Sequence, residues 1–189
     1  TIKDVIDNYS GKAWLIEKER IGLTILHNYE KSIFEHSKRI LGSKASFAVE
    51  DVDNRIKAVE KSQGFEFTSE QKEAIKMAVE NNILIISGKA GTGKTTILKG
   101  IINVLKEGND LSYSACALSG KASQRISEST GLDSATIHRT LGFGRDEEGS
   151  GFTYHEKNPL SSDVVVLDEA SMVNSQIFSS LISAIQTGS

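Results

Sequence analysis

The sequence predicts an α/β fold, a parallel sheet flanked by helices and preceded by an α-helical N-terminal region. Three observations carry this reading. Residues 83–87 (ILIIS), 112–118 and 164–167 are short runs with the length and composition of buried strands. Stretches with helical spacing separate them, and strands joined through helices need crossovers that leave them parallel. Before Phe65 the pattern is helical throughout.

Taken in order, Leu26, Tyr29, Ile33, Ile40 and Leu41 recur at spacings of three, four and seven, which predicts one buried helical stripe. Ala48, Val52, Ile56 and Val59 form a shorter second pattern, with Gly42-Ser43 as the break between the two. Lys61-Ser62-Gln63-Gly64 reads as a linker, so the expected division is a helical region over 1–64 and a second unit over 65–189. Thr68 and Gln71 stand at the capping-box spacing and open a helix to about Asn81. Helices are predicted over 95–105, from Ser119 to Gly131, over 136–141 and over 175–185. Between them, the stretch at about 143–158 places Phe152-Thr153-Tyr154-His155 after a glycine-rich turn, which predicts an inserted β-hairpin. Phe152 and Tyr154 would share one face of that hairpin, either as a wedge or as a hydrophobic patch.

With 38% hydrophobic and 25% charged residues, the 189-residue chain is ordinary for a globular protein, which excludes disorder and collagen-like repeats. Its longest apolar runs, such as 83–86 and 164–167, are far too short to span a membrane. Cys116 is the single cysteine and has no internal disulfide partner, which fits a reducing, cytoplasmic compartment. No signal peptide is read in the first residues. The net charge of −3 argues against a general nucleic-acid coat and leaves room for a local basic groove.

Gly88-Lys89-Ala90-Gly91-Thr92-Gly93-Lys94-Thr95 matches G-x-x-x-x-G-K-[ST] at every fixed position, after a predicted strand and before a predicted helix. The chemistry requires this pattern. A triphosphate needs several converging backbone N–H donors, and a Cβ on the wall would block its approach. The open end of the following helix adds free N–H groups and a positive dipole. Lys94 would bring a cation to the terminal phosphates, Thr95 a hydroxyl to Mg²⁺, and Thr96 support near the α-phosphate. The implied ligands are a nucleoside triphosphate and Mg²⁺.

Asp168 and Glu169 close the apolar run 164–167, at the strand end where ligands of parallel sheets bind. Asp168 would hold the metal and Glu169 would polarise a water attacking the γ-phosphate. A strand end with two solvated acids is the plainer alternative. A water-activating acid suits a hydrolytic motor better than a small-molecule kinase.

The motifs Phe67–Gln71, Gly88–Thr95, Ala117–Ser127 (ALSGKASQRIS), Thr136-Ile137-His138 and Asp168–Met172 stand in an order that resembles superfamily 1 DNA helicases, most closely the exodeoxyribonuclease V alpha subunit (RecD-like) family. The resemblance implies a RecA-like P-loop NTPase lobe over 65–189, ATP-driven 5′→3′ movement on single-stranded DNA, and unwinding at duplex junctions. It implies that the triphosphate is ATP, and that Gln71 reads adenine, a role compatible with its capping position. It also implies strand contacts by Ser119, Gly120, Lys121, Arg125, Thr136 and His138, and the hairpin as a pin that splits the duplex. At residues 118 and 119 the family's usual Pro and Thr are Leu118 and Ser119 here. Further subunits of a nuclease–helicase complex are implied partners, and no membrane is.

Such motors need a second lobe that supplies an arginine finger. The chain is therefore expected to be the N-terminal part of a longer helicase, monomeric by itself and with little hydrolysis alone. The motor part of a conjugative relaxase-helicase, a non-helicase P-loop NTPase and a non-enzymatic docking module are the competing readings.

Overall fold

The computed structural model describes residues 4, 13–17, 20–44, 47–89, 91–107, 109–144 and 151–187. Trp14–Glu17 (β1) and Arg20–Leu23 (β2) pair antiparallel. Thr24–Leu41 (α1) follows, with Lys38 and Arg39 in its last turn, where cations oppose the helix dipole favourably. Val52–Gln63 (α2) ends at Gly64 in the left-handed conformation, and Ser69–Glu80 (α3) begins at Thr68. Next come Lys94–Lys106 (α4), Tyr113–Ala117 (β3), Gly120–Thr130 (α5), Ser134–Thr136 (β4) and Ile137–Thr140 (α6). Val164–Leu167 (β5), a 3₁₀ turn at Ala170–Met172 and Ser175–Ser183 (α7) complete the order.

The central sheet has the order β4–β3–β5, with both ladders parallel. Alternation along β3 decides which layer covers each face. Cys116 turns to a cluster with Ile137, Leu141, Ile177 and Leu181, contributed largely by α6 and α7. Ala115 and Ala117 turn the other way, to Ile102 of α4 and Ala122 and Ile126 of α5. The result is a sheet between two helical layers. The opposite face of α4 supplies Ile101, Val104 and Leu105 to a third cluster, shared with Ile56 and Val59 of α2, Phe67, and Ile75 of α3. Gly100 makes that approach possible, since a Cβ there would stand 2.8 Å from both Ile75 Cδ1 and Phe67 Cζ.

The N-terminal helices are tied into this core. Arg39 donates to the Ile185 carbonyl at 2.8 Å and to Thr187 Oγ1 at 2.8 Å, fixing α1 beside α7. Asn82 Nδ2 donates to the carbonyls of Ile40 (2.9 Å) and Ser43 (2.8 Å). Glu60 of α2 accepts from the Phe67 amide at 2.7 Å and pairs with Lys72 of α3 at 2.9 Å.

Several expectations need correction. Residues 83–87 join no ladder. Leu84 and Ile86 face the third cluster, but Ile85 is 86% exposed, so the run has an apolar layer on one side only. The third strand is instead β4, whose three residues are too few for a periodic signal. The region before Phe65 is not helical throughout, because β1 and β2 precede α1. The stripe on α1 is buried at Ile40, whereas Leu26 and Leu41 are 44% and 59% exposed. Residues 61–63 form the last turn of α2 rather than a linker. In the expected hairpin, 145–150 lie outside the described residues. The described remainder pairs only through the His155–Asn158 bridge, and its return is held by Gly144 N to Gly151 O (3.2 Å) and Tyr154 N to Leu141 O (3.1 Å). No described helix is long and apolar enough to cross a membrane.

Candidate functional site

The glycine-rich turn leads into α4 with Gly93 as its N-cap at φ +85°, a conformation that favours glycine. Gly88 is required by close approach: a Cβ on it would meet Thr92 Oγ1 at 2.7 Å. That hydroxyl donates to the Lys89 carbonyl at 2.8 Å and braces the turn. Lys94 Nζ donates to the carbonyls of Gly88 (2.6 Å) and Lys89 (2.8 Å). Among the described residues Lys94 forms no ion pair, so carbonyl dipoles alone offset its charge. A cation held this way beside exposed N–H groups is suited to an anion. Lys89, Gly91 and Thr92 are exposed in the turn, and Thr95 and Thr96 lie in the first turn of α4. Ala90 lies outside the described residues.

A cleft of about 540 Å³ opens between this turn and the start of α3. Thr68, Glu70 and Gln71 line one side, Gly88, Thr92 and Lys94 the other, with Ile85 and Ile86 between. Capping chemistry sets the pose of Gln71. Its Oε1 accepts from the Thr68 backbone N–H at 3.0 Å, and its own backbone N–H donates to Thr68 Oγ1 at 3.3 Å. The side-chain Nε2 faces Gly93. At the rim, the backbone N–H of Glu70, followed by the hydroxyls of Thr68 and Ser69, holds the Glu70 carboxyl below its ordinary range. Sequence reasoning missed Glu70 and Ile85 as cleft residues. Ile85 sits in a uniformly apolar run, where no periodicity separates a core side chain from a cleft wall.

Asp168 N donates to the Cys116 carbonyl at 3.0 Å, which carries the β3–β5 ladder one residue past β5. The Glu169 amide donates to Asp168 Oδ1 at 2.8 Å, and the Glu169 carbonyl accepts from Met172 N at 2.9 Å. Glu169 itself adopts φ 52° and ψ 37°, left-handed for a residue with a side chain. Among the described residues no hydrogen bond or ion pair joins the acid pair to the glycine-rich turn. The fold pairs Glu169 with Arg125 instead, Nη1 to Oε1 at 3.2 Å.

Parallel pairing brings the carboxyl ends of β3, β4 and β5 to one sheet edge. Ser119, Gly120, Lys121 and Arg125 follow β3, Thr136 ends β4, and His138 stands just beyond it. Ser119 Oγ accepts from the Ala122 amide at 3.2 Å, and Thr136 Oγ1 from the Arg139 amide at 3.3 Å. Each hydroxyl serves as a cap acceptor and keeps its own O–H to donate outward. His138 packs against the rings of Phe143 (5.7 Å) and Phe152 (5.9 Å), which also touch each other at 5.4 Å. Phe152 and Tyr154 both rest on the cluster beneath β3, and Phe143 is 54% exposed.

A family model described as an AAA domain matches residues 71–189. The ATP-dependent RecD2 DNA helicase of Deinococcus radiodurans is 32% identical over 131 residues, covering 69% of this chain and 18% of the relative. The RecBCD enzyme subunit RecD of Mycolicibacterium smegmatis is 30% identical over 179 residues, covering 83% of this chain and 31% of the relative. The ATP-dependent DNA helicase PIF3 of Trypanosoma brucei brucei is 32% identical over 112 residues, covering 59% and 13% respectively. The chain spans less than a third of the length of these curated relatives.

Proposed function

The chain belongs to the AAA domain family and to the RecD-like helicases, and from that premise we propose that it is the ATP-binding lobe of a 5′→3′ DNA helicase. The observation that carries the reading is a cleft lined by Gln71 on one wall and by Gly88, Thr92 and Lys94 on the other. Such a cleft offers an amide for a base edge and a cation with open N–H groups for phosphates. Mg-ATP, when bound, supplies the phosphoanhydride whose hydrolysis drives movement. Residues 65–189 form this lobe, with 1–64 as the helical region before it. Gly88, Lys89, Ala90, Gly91, Thr92 and Gly93 wrap the phosphates, Lys94 offsets their charge, and Thr96 supports the α-phosphate region. Thr95 and Asp168 hold the metal. Gln71 orients the base, and Glu169 holds the attacking water.

Ser119, Gly120, Lys121, Arg125, Thr136 and His138 contact the single strand along the shared sheet edge, mostly through its phosphates. Duplex junctions are the substrate, and the names of the RecBCD relatives support partner subunits in a larger assembly. The test compares the protein carrying this chain with its Lys94→Ala variant, in ATPase and unwinding assays on 5′- and 3′-tailed duplexes. The expected result is unwinding of the 5′-tailed substrate only, abolished by Lys94→Ala. Retention of both activities in that variant would overturn the reading.

A further inference from the structure

The Arg125–Glu169 ion pair connects the two chemistries of the site. It joins the helix after β3 to the acid after β5, 44 positions apart in sequence. Glu169 is held differently along its length. Its backbone is pinned by Asp168 Oδ1 on one side and by Met172 N on the other. Its carboxylate meets Arg125 through one nitrogen, at 3.2 Å. The two side chains are 61% and 41% exposed, so solvent reaches both partners. A monodentate pair in high dielectric is cheap to exchange. Lys121 stands one turn before Arg125, at the i,i+4 spacing that places both cations on one helix face. A phosphate drawn to Lys121 is therefore presented to the guanidinium that holds Glu169.

We propose that Arg125 is a positioning residue that keeps Glu169 in a resting pose until a phosphate of the bound single strand takes its guanidinium. Strand binding and water activation are then coupled through one exchangeable ion pair. This rests on the reading of Glu169 as the water-holding acid and of α5 as a strand contact. By linkage, whatever frees Arg125 from Glu169 strengthens its hold on the strand.

The first measurement is the affinity of the nucleotide-free protein for a labelled oligo-dT, by fluorescence anisotropy at fixed salt. Glu169→Gln should tighten binding about two- to five-fold, the range an exposed ion pair spans. The same substitution in an Arg125→Ala background should leave affinity unchanged. Equal tightening in both backgrounds would mean a general charge effect and overturn the proposal. The second is ATP turnover without DNA. Arg125→Ala should raise it about two- to five-fold at unchanged KM for ATP and shrink the stimulation by DNA, with Arg125→Lys restoring low turnover. Unchanged or lowered DNA-free turnover in Arg125→Ala, with Lys94→Ala and Glu169→Gln inactive, would refute the ion-pair coupling alone. Wild-type turnover in Lys94→Ala and Glu169→Gln would remove the nucleotide reading and this proposal with it.

Discussion

Gln71 and Gly93 lie directly against each other: a methyl group on Gly93 would stand 2.7 Å from Gln71 Nε2. The glutamine that completes the cap of α3 thus also defines how closely the glycine-rich turn lies against that helix. A local capping motif and the glycine-rich turn are joined by this contact.

Gly93→Ala should be costly on two counts, the left-handed φ and the clash with Gln71. The φ alone is worth about 1–2 kcal/mol. Urea unfolding should show a loss of at least that order, and titration with a fluorescent ATP analogue should show weakened binding. Wild-type stability and affinity together would refute the contact.

Thr68→Ala removes the hydroxyl that accepts from the Gln71 amide. The expected loss is about 1 kcal/mol of stability, with Thr68→Ser close to neutral. Nucleotide affinity should change much less, because the Thr68 backbone N–H that holds Gln71 Oε1 is retained. Chemical denaturation and the same titration check both effects.

Gly100→Ala sets two effects against each other. Alanine gains about 1 kcal/mol in a helix interior. The new methyl, however, meets Phe67 Cζ and Ile75 Cδ1 at 2.8 Å in a filled cluster, and overpacking costs about 1–3 kcal/mol. Packing should win, and the urea midpoint of the variant should fall. A rise in the midpoint would show that Phe67 moves aside freely.

Acid should loosen α2 from α3. Lys72, helped by the Phe67 amide, holds the Glu60 carboxyl below its ordinary value of 4.5. Its folded pKa is lowered, so its stabilisation is complete above the unfolded value and is lost as pH falls through the folded one. Asp53, held down by Lys76, acts in the same direction. Thermal unfolding followed from about pH 6 to about pH 3 should show a falling midpoint. Glu60→Gln should start lower and fall less steeply below about pH 4.5. Parallel curves would remove Glu60 as a contributor.

Interactions that close within a few residues were legible in the sequence alone. The Thr68–Gln71 cap, the glycine turn before Lys94, the Ser119 cap and the left-handed Gly131 depend on neighbours in the chain, so residue type and spacing specify them. The order of the motifs from Phe67–Gln71 through Gly88–Thr95 to Asp168–Met172 was enough to identify the family. Only the tertiary structure decided which strands pair, which side of the apolar run 83–87 is covered, and that Ile85 lines a cleft. It alone placed His138 among Phe143 and Phe152, and Arg125 beside Glu169. The physical reason is distance along the chain. Ladder partners, ring contacts and the pairing of charges 44 residues apart are chosen by packing of the whole sheet, and no local pattern encodes that choice.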